Sequence, residues 1–286
     1  MSRTLKITAL TLLALIAFAA NSVFGRLALL DDNIGPWSYT LIRLLSGAIV
    51  LCILTGFKAS REHGSWQGAS ALVIYAVFFS YAYLMLSAGA GALILFAIVQ
   101  LTMLGYGFLI GERLSFVQWG GFLLAVAGLI YLMAPGIEAP SLYGSLLMIG
   151  SGIGWGAYSI LGKRGGDPSA QTSGNFVRAT LILAALSLPG FYVINENSPN
   201  IYGLSLAIAS GAITSALGYV IWYRVLKDIR LTTAAISQLS VPVIAALGGM
   251  MFIREPITLR FFIASVLILS GIGLSVIYKK PSKVPQ

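Results

Sequence analysis

The sequence predicts an all-α integral membrane protein with ten transmembrane helices, built as two inverted five-helix repeats. Three observations lead to this prediction. Of the 286 residues, 58% are hydrophobic and only 9% are charged, whereas charged residues make up about a quarter of an ordinary soluble protein. Apolar stretches of about 20 residues recur along the chain, which is the length that crosses a hydrocarbon core of about 30 Å. Finally, the two halves of the chain carry similar motifs at corresponding positions.

Polar segments separate the predicted spans. Residues 30–36 contain two aspartates, a glycine and a proline, and residues 58–63 form a charged loop. The separator between the third and fourth spans has no charge and must form a very tight hairpin at the membrane surface. The spans run approximately over Leu5–Leu29, Trp37–Phe57, Trp66–Ser87, Ala90–Ile110, Phe116–Ala134, Leu142–Gly162, Ala170–Ile194, Ile201–Leu226, Thr232–Ile253 and Leu259–Tyr278. The first span also resembles a secretory signal, but its counterpart later in the chain favours a retained helix.

The distribution of basic residues predicts the orientation. With the N-terminus in the cytoplasm, 13 of the 18 lysines and arginines lie at the cytoplasmic face and three at the opposite face. By the positive-inside rule, this asymmetry predicts a multi-pass protein of a bacterial-type inner membrane with both termini in the cytoplasm. The net charge of +9 is then explained by cytoplasmic anchors, and no nucleic-acid partner is expected.

An internal repeat organises the chain. Glu112–Gly128 matches Glu255–Gly271, because each begins with glutamate, has a hydroxyl residue three positions later and ends in glycine. Further matches pair Asn21–Arg26 with Tyr158–Lys163, and Thr40–Arg43 with Asn175–Arg178. The predicted repeats are residues 1–136 and 137–286. An odd number of spans per repeat places the copies in opposite orientations, an arrangement used for alternating access.

These motifs resemble the drug/metabolite transporter superfamily, specifically its ten-helix EamA-type branch. The resemblance rests on Glu112–Gly128 and Glu255–Gly271 and on the arginines Arg43 and Arg178, and it covers essentially the whole chain. The general pattern is most similar to the YddG-type amino-acid exporters. Two departures concern substrate contacts: Phe18-Ala19 stands where the second repeat has the family's Trp155-Gly156, and Phe261 replaces the repeat counterpart of Gln118. The resemblance implies export of amino acids or related compounds.

Aromatic and amide side chains inside the spans are the candidate lining of a substrate cavity. Tyr75, Phe79 and Tyr83 follow at i, i+4 and i+8, which places them on one helix face. Hydroxyl, indole and amide groups at membrane depth need hydrogen-bond partners. The candidate lining residues are Tyr75, Phe79, Tyr83, Gln100, Trp155, Tyr158, Tyr219, Trp222 and Gln238. Two alternatives stay open, since Tyr and Trp near span ends also form interfacial belts and glutamines also cross-link helices.

Charged residues near the span ends and one proline are the candidate gating or bracing residues. We expect Arg43 to pair with Glu255 at the outer side and Arg178 to pair with Glu112 at the inner side, each pair joining one repeat to the other. Snorkelling or binding to backbone carbonyls is the alternative for both arginines. Pro242 lies within the ninth span, where it releases the carbonyl of Gln238 and predicts a kink that bends during gating or packs statically.

The remaining residues exclude several kinds of site. The single cysteine, Cys52, allows no intramolecular disulfide and no cysteine-based metal cluster. The single histidine, His63, lies in a charged loop, which disfavours a histidine-based catalytic or zinc site. We therefore predict a transporter rather than an enzyme, with no cofactor, acting on small molecules within the lipid bilayer. No acidic residue is predicted at mid-membrane, which favours transport driven by the substrate's own gradient. The alternatives are a multidrug exporter of aromatic cations, or a non-transport scaffold or lipid-handling protein.

Overall fold

The fold, seen in a computed structural model, is all helical. The structure describes residues 3–111, 115–162, 167–188, 196, 198–229 and 231–277, and within them there is no strand. The described residues contain thirteen α-helices, numbered α1 to α13 in chain order: Arg3–Leu29, Pro36–Thr55, Phe57–Glu62, Trp66–Tyr83, Ala88–Leu109, Phe116–Met133, Leu142–Gly162, Pro168–Ser187, Ile201–Ala209, Gly218–Leu226, Leu231–Gln238, Val241–Gly248 and Leu259–Ile277.

Eight helical segments in the described part of the chain are long and apolar enough to cross a membrane. Two further long helices, α4 with 18 residues and α8 with 20, are not among the eight. Their lower hydropathy has a structural cause, because both carry polar or hydroxylated side chains that face the interior. In α8, for example, Thr172, Ser173 and Asn175 are buried. The outer surface is apolar, with Ile53, Leu123 and Phe252 all exposed, as expected for contact with lipid.

The predicted spans agree with the helices at most ends and differ in three places. The charged loop after α2 contains the short helix α3. The predicted seventh span extends to Ile194, whereas α8 ends at Ser187 and residues 189–195 lie outside the described part. The ninth span is divided, since α11 ends at Gln238 and α12 begins at Val241. Pro242 therefore lies in the first turn of α12, where an N–H would have no acceptor within the helix. In place of the expected kink there is a break between two helices.

Glycine allows the closest helix contacts. A Cβ atom on Gly271 of α13 would lie 2.5 Å from the carbonyl oxygen of Gly121 and 2.6 Å from the amide of Ala125 in α6. A Cβ on Gly154 of α7 would lie 2.8 Å from the amide of Tyr75 in α4. In lipid, helices associate by this kind of close packing, because the hydrophobic effect gives little drive between two apolar helices.

Two π-helical segments interrupt the C-terminal half. One, Ser210–Leu217, joins α9 to α10, and the other, Gly249–Ile253, follows α12. Such segments are frequent at functional sites. The first packs so closely against α2 that a Cβ atom on Gly211 would collide with the backbone carbonyl oxygen of Arg43. It therefore places three hydroxyl residues, Ser210, Thr214 and Ser215, beside α2.

Candidate functional site

Aromatic rings from four helices form a continuous series through the interior. Trp155 of α7 lies at its centre, with its ring centroid 4.8 Å from that of Tyr75, 5.1 Å from Tyr158 and 5.2 Å from Tyr219. The last two rings are stacked on the indole, with interplanar angles of 24° and 25°. Offset stacking of this kind adds about 0.5–1.5 kcal/mol per pair to the burial of the rings. Tyr75 and Tyr219 thus both contact the indole of Trp155.

The series continues towards both ends of the helix bundle. On one side, Tyr75 contacts Phe79 (5.6 Å between centroids), which contacts Tyr83 (4.6 Å). On the other side, Tyr219 contacts Phe18 (5.8 Å), which contacts Trp222 (5.7 Å). We call these eight residues the aromatic series: Phe18, Tyr75, Phe79, Tyr83, Trp155, Tyr158, Tyr219 and Trp222.

A buried hydrogen-bonded cluster adjoins the series at Tyr75. The Tyr39 hydroxyl donates to Ser210 Oγ (2.8 Å), which donates to Asn21 Oδ1 (2.7 Å). Thr214 also donates to Asn21 Oδ1, at 3.1 Å. We call Asn21, Tyr39, Arg43, Tyr75, Ser210, Thr214 and Ser215 the polar cluster. It links α1, α2 and α4 to the first π-helical segment, and thus joins the two halves of the chain.

Arg43 is the charged member of the polar cluster and is 1% exposed. Its Nη2 donates to the Tyr75 hydroxyl at 2.8 Å, and its Nε donates to Ser215 Oγ at 3.4 Å. The guanidinium carbon lies 4.7 Å from the ring centroid of Phe79 and 5.2 Å from that of Tyr75. Both distances are within the range of cation–π attraction. The arginine is therefore embedded between neutral hydroxyls and aromatic faces.

Two cavities open at opposite ends of α4, and the Tyr75–Arg43 contact lies between them. One, of about 180 Å³, is lined by residues that include Ser87, Glu138, Ile257 and Phe261. The other, of about 310 Å³, is lined by residues that include His63, Gln67 and Asn175. Because α4 has 18 residues, its ends are about 27 Å apart, and Tyr75 is its tenth residue. Neither cavity is lined by Arg43 or Trp155.

The expected pairing of Arg43 with Glu255 is wrong. Glu255 instead pairs with Arg26 of α1, with Nε and Oε1 3.0 Å apart and both side chains less than a fifth exposed. Arg26 Nη1 also donates to the carbonyls of Tyr83 (2.9 Å) and Leu84 (3.1 Å), and Glu255 Oε2 accepts from the amide of Ala88 (2.8 Å). Arg26 lies in the last turn of α1 and reaches Glu255, which lies in the segment before α13. Arg43 instead reaches inwards to Tyr75.

Arg178 follows the alternative expected for it and binds backbone carbonyls. Its Nη1 donates to His63 (2.6 Å) and Gly174 (3.0 Å), and its Nη2 donates to Arg61 (3.1 Å). These contacts hold the end of α3 against α8. Its expected partner, Glu112, lies outside the described residues.

The remaining predicted residues have varied surroundings. The Tyr83 hydroxyl donates to the carbonyl of Ala88 at 3.4 Å, and Trp222 is 6% exposed. Gln100 is buried on α5, and Gln238 is half-buried at the end of α11. Neither glutamine belongs to the aromatic series. The Tyr158 hydroxyl donates to Thr172 at 3.2 Å. Lining of a substrate cavity by these residues stays a prediction.

Sequence reasoning missed several residues that the structure brings into the site. Asn21, Tyr39 and Arg26 were not among the candidates. Asn21 offered a signal, since it is an amide within an apolar span. Glu196 was also missed, although its carboxylate accepts from the amides of Trp37 (2.7 Å) and Ser38 (3.0 Å) and so caps the N-terminus of α2. A carboxylate suits that helix end because of the helix dipole.

Eight apolar helical segments of spanning length in the described residues, with a buried arginine among aromatic rings, indicate a multi-pass membrane protein with a polar site in its interior. The chain belongs to the EamA-like transporter family, whose sequence profile matches residues 5–134 and 142–277. It is accordingly a multi-pass membrane protein of a transporter family rather than of an enzyme family. A small-molecule substrate and the lipid bilayer are its implied partners.

Similar proteins agree with the family assignment. An uncharacterized protein of Pseudomonas aeruginosa is 47% identical over 268 residues, covering 93% of this chain and 92% of its own length. The threonine/homoserine exporter RhtA of Escherichia coli is 27% identical over 171 residues, which is 57% of this chain and 56% of its own. A solved crystal structure superposes with a TM-score of 0.65 at 19% identity, covering 96% of this chain and 98% of its own, and so supports the fold.

Proposed function

We propose that this transporter exports amino acids, aromatic ones included, or similar small metabolites across a bacterial inner membrane by alternating access. The observation that carries the proposal is the position of the polar cluster and of the centre of the aromatic series. They lie about midway along α4, between cavities at its two ends. A site at mid-depth that opens in turn to either side is what alternating access requires.

Two inverted repeats are part of this proposal, in which α4 and α8 are counted with the eight apolar segments to give ten spans. The helix contacts support it, because they are matched when the halves are exchanged. Helix α1 packs on α10, and correspondingly α7, the counterpart of α1, packs on α4. Helix α2 packs on the first π-helical segment, and correspondingly α8, the counterpart of α2, packs on α4. The pairs α2–α8, α5–α12 and α6–α13 join equivalent helices of the two halves. The two separate matches to the family profile also agree with a duplicated chain.

The charge of the polar cluster favours amino acids over aromatic cations. A multidrug exporter of cations needs an uncompensated acidic or aromatic surface. Here the aromatic faces of Tyr75 and Phe79 are already occupied by the Arg43 cation. A second cation at this position would meet like-charge repulsion in a medium that screens poorly. The similarity to RhtA, a threonine/homoserine exporter, is in keeping with this choice.

A substrate panel in proteoliposomes tests the proposal. We expect saturable exchange of amino acids without an imposed proton gradient, and we expect Trp155→Ala to lower it at least about tenfold, because the stacked centre is lost. Trp119→Ala is the matched control, since Trp119 is exposed on α6. Dye flux that depends on a pH gradient, without amino-acid exchange, would instead indicate a multidrug exporter. An absence of saturable flux of any solute would indicate a scaffold or lipid-handling protein.

A further inference from the structure

Arg43 is a buried cation without an acidic partner among the residues that the structure describes. None of the ion pairs within the described residues includes it: Glu255 pairs with Arg26, Asp228 with Arg3 and Glu62 with Lys58. Glu196 accepts hydrogen bonds from the start of α2. The Nη1 atom of Arg43 is buried and has no hydrogen-bond partner in the described part of the chain. One end of the guanidinium is thus unsatisfied.

Such an arrangement is expensive for a purely structural residue. A buried ion costs several kcal/mol unless a counter-charge and hydrogen bonds compensate for the lost water. The Tyr75 and Ser215 hydroxyls and the neighbouring rings compensate only in part, because all of them are neutral. Bracing alone would be achieved as Arg178 does it, with three carbonyl acceptors around the guanidinium. What Arg43 lacks is an anion.

We propose that Arg43 binds the carboxylate of the transported solute. This inference rests on the proposed function and adds the substrate class: organic carboxylates, zwitterionic amino acids among them, with an apolar or aromatic part. A carboxylate on a guanidinium forms short, charge-assisted hydrogen bonds and fits its planar donors. It would satisfy Nη1 and neutralise the buried charge at the same time.

The neighbouring rings suit the other part of such a solute. Tyr75 contacts both the guanidinium and the indole of Trp155, so the carboxylate site and the stacked rings share one residue. A side chain of the solute that inserts beside Trp155 and Tyr219 would lie next to the carboxylate site. Arg43 is therefore a binding residue that recognises the group common to the whole substrate class, while the aromatic series contacts the group that varies.

The test compares each amino acid with its amide, which keeps the amine and replaces the carboxylate by a neutral group. Wild-type protein in proteoliposomes is assayed by counterflow with phenylalanine, leucine and threonine, and with phenylalaninamide, leucinamide and threoninamide as competitors. We expect every amide to compete at least about tenfold more weakly than its acid, because the amide cannot form the charge-assisted hydrogen bonds to the guanidinium. This comparison needs no variant. Equal competition by acid and amide would overturn the inference while leaving the proposed function intact.

Variants then assign the preference to Arg43. Arg43→Gln is expected to lower amino-acid flux at least about tenfold and to bring the acid-to-amide ratio close to one, and Arg43→Lys is expected to retain part of the preference. Arg224→Gln removes the same charge from an exposed position of α10 and should leave the ratio unchanged. If Arg43→Gln does not elute as a monodisperse protein, the lysine variant carries the comparison. A folded Arg43 variant with an unchanged ratio would contradict the assignment, whereas absent flux in the wild type would contradict the proposed function itself.

Discussion

At the residue scale, the Arg26–Glu255 ion pair connects α1 to the segment that precedes the last helix, α13. Its side chains are 17% and 14% exposed, whereas those of the Lys58–Glu62 pair are 86% and 57% exposed. The buried pair also holds three backbone groups, at Tyr83, Leu84 and Ala88. A single contact network thus joins both halves of the chain at one end of the bundle, and its loss would leave several polar groups without partners.

We expect Arg26→Gln and Glu255→Gln each to lower the free energy of unfolding by about 1–3 kcal/mol, because each leaves a partly buried charge unpaired. The double variant should lose about 1 kcal/mol less than the sum of the two. Thermal unfolding in detergent measures the effect. Lys58→Gln, at the exposed pair, is the control and should cost at most about 0.5 kcal/mol. Additive losses from the two single variants would show that the pair is not coupled.

At the element scale, the contact of α6 with α13 depends on two glycines. Gly121 and Gly271 lie against each other's backbone carbonyls, so that a Cβ on either would collide with the partner helix. The contact is strengthened by Gln118, whose Nε2 donates to the carbonyl of Ser275 at 3.3 Å. Gly120, the neighbour of Gly121, has open space around the position of a Cβ. Adjacent glycines of one helix therefore have opposite requirements.

We expect Gly121→Ala to destabilise the protein by about 1–3 kcal/mol, because the two backbones must separate to admit the methyl group. Gly120→Ala should be neutral or stabilise the protein by up to about 1 kcal/mol, since alanine favours the helix. The midpoint of thermal unfolding of the two variants measures the difference. Equal effects would mean that α6 and α13 are not held by this close approach.

At the scale of the whole molecule, alternating access requires the two cavities to open in turn. Each cavity has an accessible residue for labelling, Ile257 in one and Gln67 in the other. The single cysteine, Cys52, is buried, and its replacement by alanine gives a background without cysteine. The break between α11 and α12 at Pro242 is the proposed bending point.

On the Cys52→Ala background, we expect a transported amino acid to change the labelling rates of Ile257→Cys and Gln67→Cys in opposite directions. An impermeant reagent should reach the Ile257→Cys site in intact cells and the Gln67→Cys site only after permeabilisation, because the positive-inside rule predicts that the basic loops face the cytoplasm. Adding Pro242→Ala should slow the opposed change. Labelling rates that rise or fall together would contradict alternating access, and reversed permeability would contradict the orientation.

The membrane class, most helix ends and one face of α4 could be predicted from local sequence patterns. The low fraction of charged residues and the length of the apolar stretches are read directly from the sequence. Tyr75, Phe79 and Tyr83 share a face because the helical period aligns residues four apart. These properties are local, so neighbouring helices do not alter them. The motifs that begin at Glu112 and Glu255 also indicate the similarity between the two halves of the chain.

Which distant charges meet depends on the packing of the helices against one another. Arg26 and Glu255 are 229 positions apart in the chain, and their contact depends on how α1 and the turn after α12 are rotated and tilted, which no local pattern encodes. The same rotation turns Arg43 away from every described carboxylate and towards Tyr75, and brings Asn21 to the first π-helical segment. A helix can present any of its faces to a neighbour in lipid, and close packing of small residues, rather than hydropathy, selects among them.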